Sequence, residues 1–433
     1  MYASSASSQR VRSGVVSLSF AARCPVTAKR RVQRRVGGAV QTADLRDTAE
    51  CHVDTALNLQ EHEVQFTINS GEFANAISWA SRALAARPPI VVLSGLLVTV
   101  ADDKVNVSAF DYEQSALATL PLTGFNEPGE MVIPGRLLAD IVKSLGKRDM
   151  TLTLEGSRVI VTSGSARFTV PTLPVADYPA LPAQPDALGT VDAIEFADAV
   201  RKVAVAAGTD DTLPVLTSVS VTINPDGLMT LAATDRYRLA VQTLMVNLSR
   251  TLDEPLTLLV PARNLEGYAK ALSADGTLTF GAPSGTSGMF GITGKSQSGT
   301  SRLLDGDYPK YARLLPESFN GEAKVATGDL VDVVKRSKLV AMGRTITLLF
   351  EDNALVVTAG RDEALARESI PVEYDGEPFT ISFNHDYLLD GLAAVDGADV
   401  RFLLTSENKP AVLRTPEDDA LYTYLMMPVR VAS

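Results

Sequence analysis

Cysteine and histidine are scarce in this chain. Of its 433 residues, only two are cysteine and three are histidine. Cys24 and Cys51 lie near the beginning, which excludes a disulfide framework or a cysteine-based zinc site from the rest of the chain. The histidines, His52, His62 and His385, are scattered and lack the short spacing of a metal site. We therefore expect neither a metal nor a cofactor.

Long apolar runs and aromatic residues are also few. Aromatic residues make up 6% of the chain, against 45% hydrophobic and 21% charged residues, which are ordinary values for a soluble globular protein. The longest apolar stretch, residues 88–101, is interrupted by Ser94, Gly95 and Thr99, and it falls short of the ~18–20 residues that a membrane-spanning helix needs. We expect no membrane span, and the length suggests about three domains.

Acidic residues are missing from the beginning of the chain up to Asp44, where arginine and serine are frequent. Residues 1–52 carry eight Arg and one Lys against three acids, whereas the whole chain has a net charge of −11, so the remainder is strongly acidic. No periodicity indicates a core in residues 1–63, which we predict to be a disordered basic extension. A targeting segment and a basic nucleic-acid tail are possible interpretations. We favour a third, a non-native region translated from an upstream start codon, because Val53 could itself be a start.

From residue 64 onward the sequence repeats with a period of about 125 residues. Each repeat has a segment of helical periodicity (71–84, 194–207, 328–341), a pair of alternating strands, and a short strand followed by a second helix (131–145, 259–272, 381–395). Asp102-Asp103, Pro225-Asp226-Gly227 and Asp352-Asn353 are the predicted strand turns, and Pro134, Pro261 and Asn384 the predicted helix starts. We predict three α+β domains at 64–183, 184–316 and 317–433, each with two helices packed on antiparallel sheets.

Signatures of catalysis are weak. Gly294-Lys295-Ser296 resembles the end of a phosphate-binding loop, but Gly288 is one residue out of register for that motif. Asp111 and Asp235 stand at equivalent strand ends in two repeats, so the repeat explains them without a catalytic pair. We expect a protein that is not an enzyme.

Three segments together carry a resemblance to a known family: ATDRYRLAV (233–241), RLLDGDYPKYARLLP (302–316) and YLMMPVR (424–430). With the threefold repeat, they resemble the bacterial DNA polymerase III beta subunits, the DNA sliding clamps, over residues 64–433. The resemblance implies a head-to-tail homodimeric ring of six domains that encircles duplex DNA and tethers the replicative polymerase. It also implies partners of the clamp-loader, polymerase and repair classes, no membrane, and a cytoplasmic location on the chromosome.

Basic residues on the predicted helices are candidates for contact with DNA phosphates. Many stand near helix C-termini, where they also offset the helix dipole, and this alternative applies less well to Arg136 and Arg263 near helix starts. The resemblance implies DNA contact and adds Arg87 in the loop after the first helix. The candidates are Arg82, Arg87, Arg136, Lys143, Arg201, Lys202, Arg263, Lys270, Lys335, Arg336 and Lys338.

Two further sites are implied by the resemblance. Phe168, Leu339 and Val340 match positions of the dimer interface. A hydrophobic cleft between the second and third domains is expected to receive a short peptide of client proteins, although Arg236 and Tyr237 differ from the small residue and the histidine that many relatives have there. The cleft candidates are Leu216, Thr234, Arg236, Tyr237, Arg238, Leu239, Pro309, Arg313, Leu314, Pro410, Leu425, Met427, Pro428, Val429 and Arg430.

Two other functions remain alternatives at this point. One is an enzyme that uses the surroundings of Asp235 and Tyr237. The other is a repeat-built protein-interaction scaffold that does not encircle DNA.

Overall fold

A computed structural model describes residues 64–430 apart from 86, 123, 284–287, 317, 342, 362–363 and 417–420. The predictions for residues 1–63, including the basic extension, concern residues outside the described part. Within the described residues, no helix is long and apolar enough to cross a membrane.

The first repeat alternates single helices with groups of strands. Its elements are β1 (Gln65–Asn69), α1 (Ser70–Ala80), β2 (Gly95–Ala101), β3 (Lys104–Phe110), β4 (Gln114–Pro121), β5 (Gly129–Pro134), α2 (Gly135–Ser144), β6 (Asp149–Glu155), β7 (Arg158–Ser163) and β8 (Ala166–Pro171). The order is a strand, a helix and three strands, and then the same again.

The second repeat has the same order, with one short additional strand. Its elements are β9 (Ala187–Asp192), α3 (Ala193–Ala204), β10 (Ser218–Ile223), β11 (Leu228–Thr234), β12 (Arg238–Met245), β13 (Asn247–Leu248), β14 (Leu256–Pro261), α4 (Ala262–Leu272), β15 (Thr277–Gly281), β16 (Met289–Thr293) and β17 (Gln297–Arg302).

The third repeat again follows this order and also has one additional strand. Its elements are β18 (Gly321–Ala326), α5 (Thr327–Ser337), β19 (Thr345–Glu351), β20 (Ala354–Arg361), β21 (Ala364–Pro371), β22 (Glu373–Asp375), β23 (Phe379–Asn384), α6 (His385–Ala394), β24 (Asp399–Leu404), β25 (Ala411–Arg414) and β26 (Tyr422–Met426). The prediction of three α+β repeats is confirmed.

The predicted turns and helix starts follow from local chemistry. Asp102 and Asp103 both have positive φ, 52° and 56°, as a two-residue hairpin turn of this hand requires. Asp192 caps α3 by accepting hydrogen bonds from the amides of Ile194 and Glu195 at 2.9 and 3.0 Å. Pro134 and Pro261 stand directly before α2 and α4, and Asn384 caps α6.

Equivalent helix positions are buried in all three repeats. Phe73, Phe196 and Leu330, each the fourth residue of the first helix of its repeat, are at most 1% exposed, and the fourth residue of each second helix, Leu138, Leu265 or Leu388, is fully buried. One hydrophobic core runs through the three repeats. The helices pack in pairs, α1 with α2, α3 with α4 and α5 with α6, against the sheets.

The described strands form four antiparallel sheets, two of which continue from one repeat into the next. In the first joint, β4 of the first repeat pairs with β17 of the second, and Ala116 lies opposite Gly299. In the second joint, β12 of the second repeat pairs with β26 of the third, and Ala240 lies opposite Tyr424. Each joint therefore uses the fourth strand of one repeat and the last strand of its neighbour.

Two buried aromatic residues connect both sides of the first joint. The indole Nε1 of Trp79 donates to the carbonyl of Leu117 at 3.0 Å on one side and to that of Ser298 at 3.2 Å on the other. The hydroxyl of Tyr268 donates to the carbonyl of Thr300 at 2.9 Å, and the Trp79 and Tyr268 ring centroids are 5.6 Å apart. Burial raises the pKa of Tyr268 well above its ordinary value, so the hydroxyl remains a donor at neutral pH.

We expect Tyr268→Phe to destabilise the protein by about 1 kcal/mol, because the change removes a buried donor and leaves strand carbonyls without it. The measurement is the midpoint of thermal unfolding. Tyr112→Phe is the matched control, since Tyr112 is 48% exposed, and it should leave the midpoint unchanged. Equal midpoints for both variants would contradict this account of the first joint.

Candidate functional sites

Most of the predicted DNA-contacting cations lie exposed on or directly after the helices. Ten of the eleven are exposed: Arg82, Arg87, Arg136, Lys143, Arg201, Arg263, Lys270, Lys335, Arg336 and Lys338. Within the described part of the chain, no ion pair engages Lys143, Arg263, Lys270 or Lys335. These cations are therefore available to an external anion.

Some of the exposed cations have acidic partners within the chain. Arg336 forms a two-pronged ion pair with Glu368 of β21, with nitrogen-to-oxygen distances of 2.8 to 3.1 Å. This pairing raises the pKa of Arg336 and lowers that of Glu368. Lys338 contacts Asp386 at 2.5 Å, and this hydrogen bond holds the pKa of Asp386 below its usual range.

Lys202 departs from its predicted role, because its side chain is only 8% exposed. Its Nζ lies 2.6 Å from Asp198 and also pairs with Asp396, two residues after α6. Its carbonyl accepts a hydrogen bond from the hydroxyl of Tyr422. Lys202 therefore connects the second and third repeats, and we leave it out of the proposed DNA-contacting set.

A cleft of about 390 Å³ opens beside the second joint. Its walls come from the loop after α3, the turn between β11 and β12, and the beginning of α6. The lining residues are Ala207, Gly208, Thr209, Asp210, Leu213, Leu216, Asp235, Arg236, Tyr237, Arg238, Arg344, Asp386, Tyr387 and Asp390. Four of the predicted cleft residues, Leu216, Arg236, Tyr237 and Arg238, are among them.

The turn between β11 and β12 presents Tyr237 to solvent. Thr234 is buried, and its hydroxyl donates to the carbonyl of Arg238 at 2.6 Å. A carboxylate oxygen of Asp235 accepts from the amides of Tyr237 and Arg238, both at 3.0 Å. These bonds close the turn, and the Tyr237 side chain is left 55% exposed.

Arg238 forms the base of the cleft and is held from several sides. Its guanidinium lies 3.0 Å from Asp235 and 2.5 Å from Asp390, and its Cζ is 4.3 Å from the ring centroid of Tyr387. Burial disfavours the charged form, but the interactions with Tyr424, Asp390 and Asp235 outweigh it and raise the pKa of Arg238. The cation therefore remains charged and fixed in place.

An apolar surface continues from the cleft along the C-terminal segment. The amide of Met427 donates to the carbonyl of Tyr237 at 2.8 Å, which places this segment beside the turn. Met427 is 39% exposed and Leu314 is 52% exposed. Pro309, Arg313 and Arg430 are exposed as well, whereas Pro410, Pro428 and Val429 are half-buried.

Two other predicted cleft residues lie beneath the surface. Leu239 and Leu425 face each other across the second joint and are 1% and 2% exposed. With Leu403 and Val412 they form a small cluster, against which Tyr311 packs. They support the apolar surface from below.

Of the predicted dimer-interface residues, Phe168 lies on one outermost strand, and Leu339 and Val340 lie beside another. Phe168 is half-buried on β8, which is an outermost strand of its sheet. Leu339 is 84% exposed in the 3₁₀ turn after α5, and its neighbour Val340 packs against the core. Leu365, 58% exposed, lies on β21, another outermost strand.

Comparison with protein families gives three matches that cover the three repeats in turn. The N-terminal domain of the DNA polymerase III beta subunit matches residues 64–182, the central domain residues 190–310, and the C-terminal domain residues 312–430. The chain belongs to the DNA polymerase III beta subunit family. It is a sliding clamp, a processivity factor that is not itself an enzyme, as the resemblance implied.

Individual relatives agree with this assignment. The chain is 44% identical to the beta sliding clamp of Streptomyces coelicolor over 83% of this chain and 97% of the relative. It is 42% identical to that of Micrococcus luteus over 71% and 99% of the two chains. The crystal structure of the Pseudomonas aeruginosa sliding clamp bound to griselimycin is similar, with a TM-score of 0.79 and 26% identity over 85% of this chain and all of that one. Neither the enzyme nor the scaffold interpretation gains support.

The cleft residues that the sequence did not indicate come from the third repeat and from the loop after α3, which contributes Ala207, Gly208, Thr209, Asp210 and Leu213. Arg344, Asp386, Tyr387 and Asp390 belong to the third repeat and reach the cleft because β12 pairs with β26. No local motif marks them. The threefold repeat is the signal that could have indicated Asp386, Tyr387 and Asp390, because they lie in the first two turns of α6, next to the second joint.

Proposed function

We propose that this sliding clamp is a head-to-tail homodimeric ring, closed by the pairing of β8 of one chain with β21 of the other. The observation that carries the proposal is that two outermost strands, β8 and β21, take part in neither joint. In the described chain, β8 pairs only with β7, and β21 pairs only with β20. They are the same two strand types that meet in the first and second joints.

The register of the proposed joint follows from the other two. Gln297 lies opposite Ala118 in the first joint, and Tyr422 lies opposite Gln242 in the second. If β8 and β21 pair with the register that the equivalent strands have in these two joints, Phe168 lies opposite Ala366 of the partner chain. Two such joints related by a twofold axis close six domains into a ring, and no outermost strand of these two types is left unpaired. Within the chain, we propose domain limits at 64–183, 184–316 and 317–433.

We predict that Leu339→Asp combined with Leu365→Asp dissociates the dimer, because each carboxylate would be buried in the joint without a partner. Analytical ultracentrifugation should give the mass of a single chain, 46.1 kDa, instead of twice that value. The control is Met245→Asp, at a methionine that is 61% exposed on another strand, and it should remain a dimer. A double variant that keeps the dimer mass would place the joint elsewhere.

We infer that duplex DNA passes through the ring and contacts the exposed helix cations without sequence preference. The support is that Lys143, Arg263, Lys270 and Lys335, on helices of all three repeats, are exposed and form no ion pair with another described residue. These free cations stand out because the protein as a whole has a net charge of −11. Few and weak phosphate contacts suit a ring that moves along DNA, because each neutralised phosphate adds salt-dependent affinity that would hold it in place. Arg82, Arg87, Arg136, Arg201, Arg336 and Lys338 complete the proposed set.

We expect Arg263→Gln combined with Lys270→Gln to weaken the binding of a labelled duplex in fluorescence anisotropy. The slope of log affinity against log salt concentration should fall by about 2, or roughly one for each lost phosphate contact. Lys104→Gln combined with Arg302→Gln removes two exposed cations from strands and is the matched control. If the strand variant lost as much slope as the helix variant, the helix surface would not be the DNA contact.

We further propose that the cleft and the apolar surface beside it receive a short peptide from client proteins. The clients would be the replicative polymerase, the clamp loader, and other polymerases and repair proteins. Exposed Leu213, Tyr237, Leu314 and Met427 offer contacts for leucine or phenylalanine side chains, next to fixed polar groups that set direction. That a related clamp has been solved with griselimycin bound is consistent with a ligand site on this fold.

Met427→Ala should weaken the binding of a labelled Gln-Leu-Asp-Leu-Phe peptide by roughly 10-fold or more, because an apolar anchor loses part of its contact surface. Fluorescence anisotropy measures the affinity, and ultracentrifugation should show an unchanged dimer. Met245→Ala is the matched control, at an exposed methionine outside the cleft. Unchanged affinity in Met427→Ala would remove the C-terminal segment from the peptide site.

A further inference from the structure

Arg236 is a cleft cation that forms no ion pair with another described residue. It acts on Asp210 through charge alone: hydrogen bonds from Thr212 are the main cause of the lowered pKa of Asp210, and the charge of Arg236 adds to the effect. It is exposed, and its guanidinium Cζ lies 5.9 Å from the ring centroid of its neighbour Tyr237. Its backbone amide donates to the hydroxyl of Thr234 at 3.2 Å, and none of the ion pairs among the described residues includes it. Its charge is therefore available at the mouth of the cleft.

The other two arginines of the cleft have acidic neighbours. Arg238 is fixed between Asp235 and Asp390, as described above. Arg344 is 73% exposed, and its Nε lies 3.9 Å from Asp386. Among the three arginines that line the cleft, Arg236 is the one that forms no ion pair with a described residue.

The carboxylates of the cleft already accept hydrogen bonds within the chain. Their donors are Thr212 for Asp210, Arg238 for Asp235 and Asp390, and Lys338 for Asp386. A cationic ligand would have to compete with these donors, whereas an anionic ligand can pair with Arg236 directly. A ligand carboxylate would therefore have a direct partner in Arg236, although the lining as a whole carries four aspartates against three arginines.

The fold does not require an arginine at this position. Arg236 has a φ of 81°, a backbone conformation that favours glycine. Its equivalent in the first repeat, Tyr112, has a φ of 74° in the same turn, so the turn forms with unrelated side chains. The arginine side chain therefore has no evident role in holding the turn.

We propose that Arg236 is a specificity-determining residue that favours client peptides with a carboxylate side chain next to their apolar anchors. The inference rests on the proposed function of the cleft as a peptide site. The guanidinium would donate charge-assisted hydrogen bonds to the carboxylate. Because the pair would be exposed, the gain is modest and decreases with salt.

Two labelled peptides that differ at one position test the proposal: Gln-Leu-Asp-Leu-Phe and Gln-Leu-Asn-Leu-Phe. The unmodified protein should prefer the Asp peptide by about two- to five-fold at low salt. Arg236→Gln and Arg236→Gly should lose this preference, so that the two peptides bind each variant with equal affinity. The glycine variant is compatible with the backbone at positive φ. Arg158→Gln removes an equal charge from a distant strand and should keep the preference.

The outcomes separate the inference from the proposed function. An equal preference for the Asp peptide in the unmodified protein and in both Arg236 variants would overturn the role of Arg236 and leave the peptide site intact. A preference lost also in Arg158→Gln would point to overall charge and would equally overturn it. If neither peptide bound the unmodified protein, the proposed peptide site would fail and this inference with it.

Discussion

Backbone hydrogen bonds between outermost strands make each joint between the repeats. An outermost strand of a sheet presents unpaired amide and carbonyl groups, which form bonds readily with another such strand. In this chain the fourth strand of one repeat meets the last strand of the neighbouring repeat twice, with β4 on β17 and β12 on β26. The position of the cleft depends on this kind of pairing, and so does the ring closure that we propose.

Side chains then make the two joints different. The first joint is filled by Trp79 and Tyr268, and the Cζ of Arg82 lies 5.9 Å from the Trp79 ring centroid. In the second joint, Lys202 between Asp198 and Asp396 stands at the position of Trp79, and Arg238 lies between Asp235 and Asp390. The same backbone frame therefore gives a closed apolar contact in one case and an open cleft with fixed charges in the other.

The sequence could predict features that depend on local periodicity. The buried fourth residue of each helix, the aspartate turn at Asp102 and the cap at Asn384 all follow from patterns within a few residues. The burial of Lys202 could not be predicted, because its partner Asp396 lies in another repeat. We predicted that Leu239 and Leu425 line the cleft, but both are buried. Strand alternation puts a residue on one face of a sheet, and it does not tell which face the third repeat covers. Tyr387 and Asp390 were missed for the same reason, since only the pairing of β12 with β26 brings them to the cleft.

The central claim is that retention on DNA comes from encirclement and not from the strength of contacts. The most direct measurement compares how long the protein, placed on DNA by a clamp loader, stays on nicked circular plasmid and on the same plasmid after linearisation. If the β8–β21 joint closes a ring around the duplex, the protein stays on the circle and leaves through the ends of the linear form. Equal retention on both forms would contradict the account.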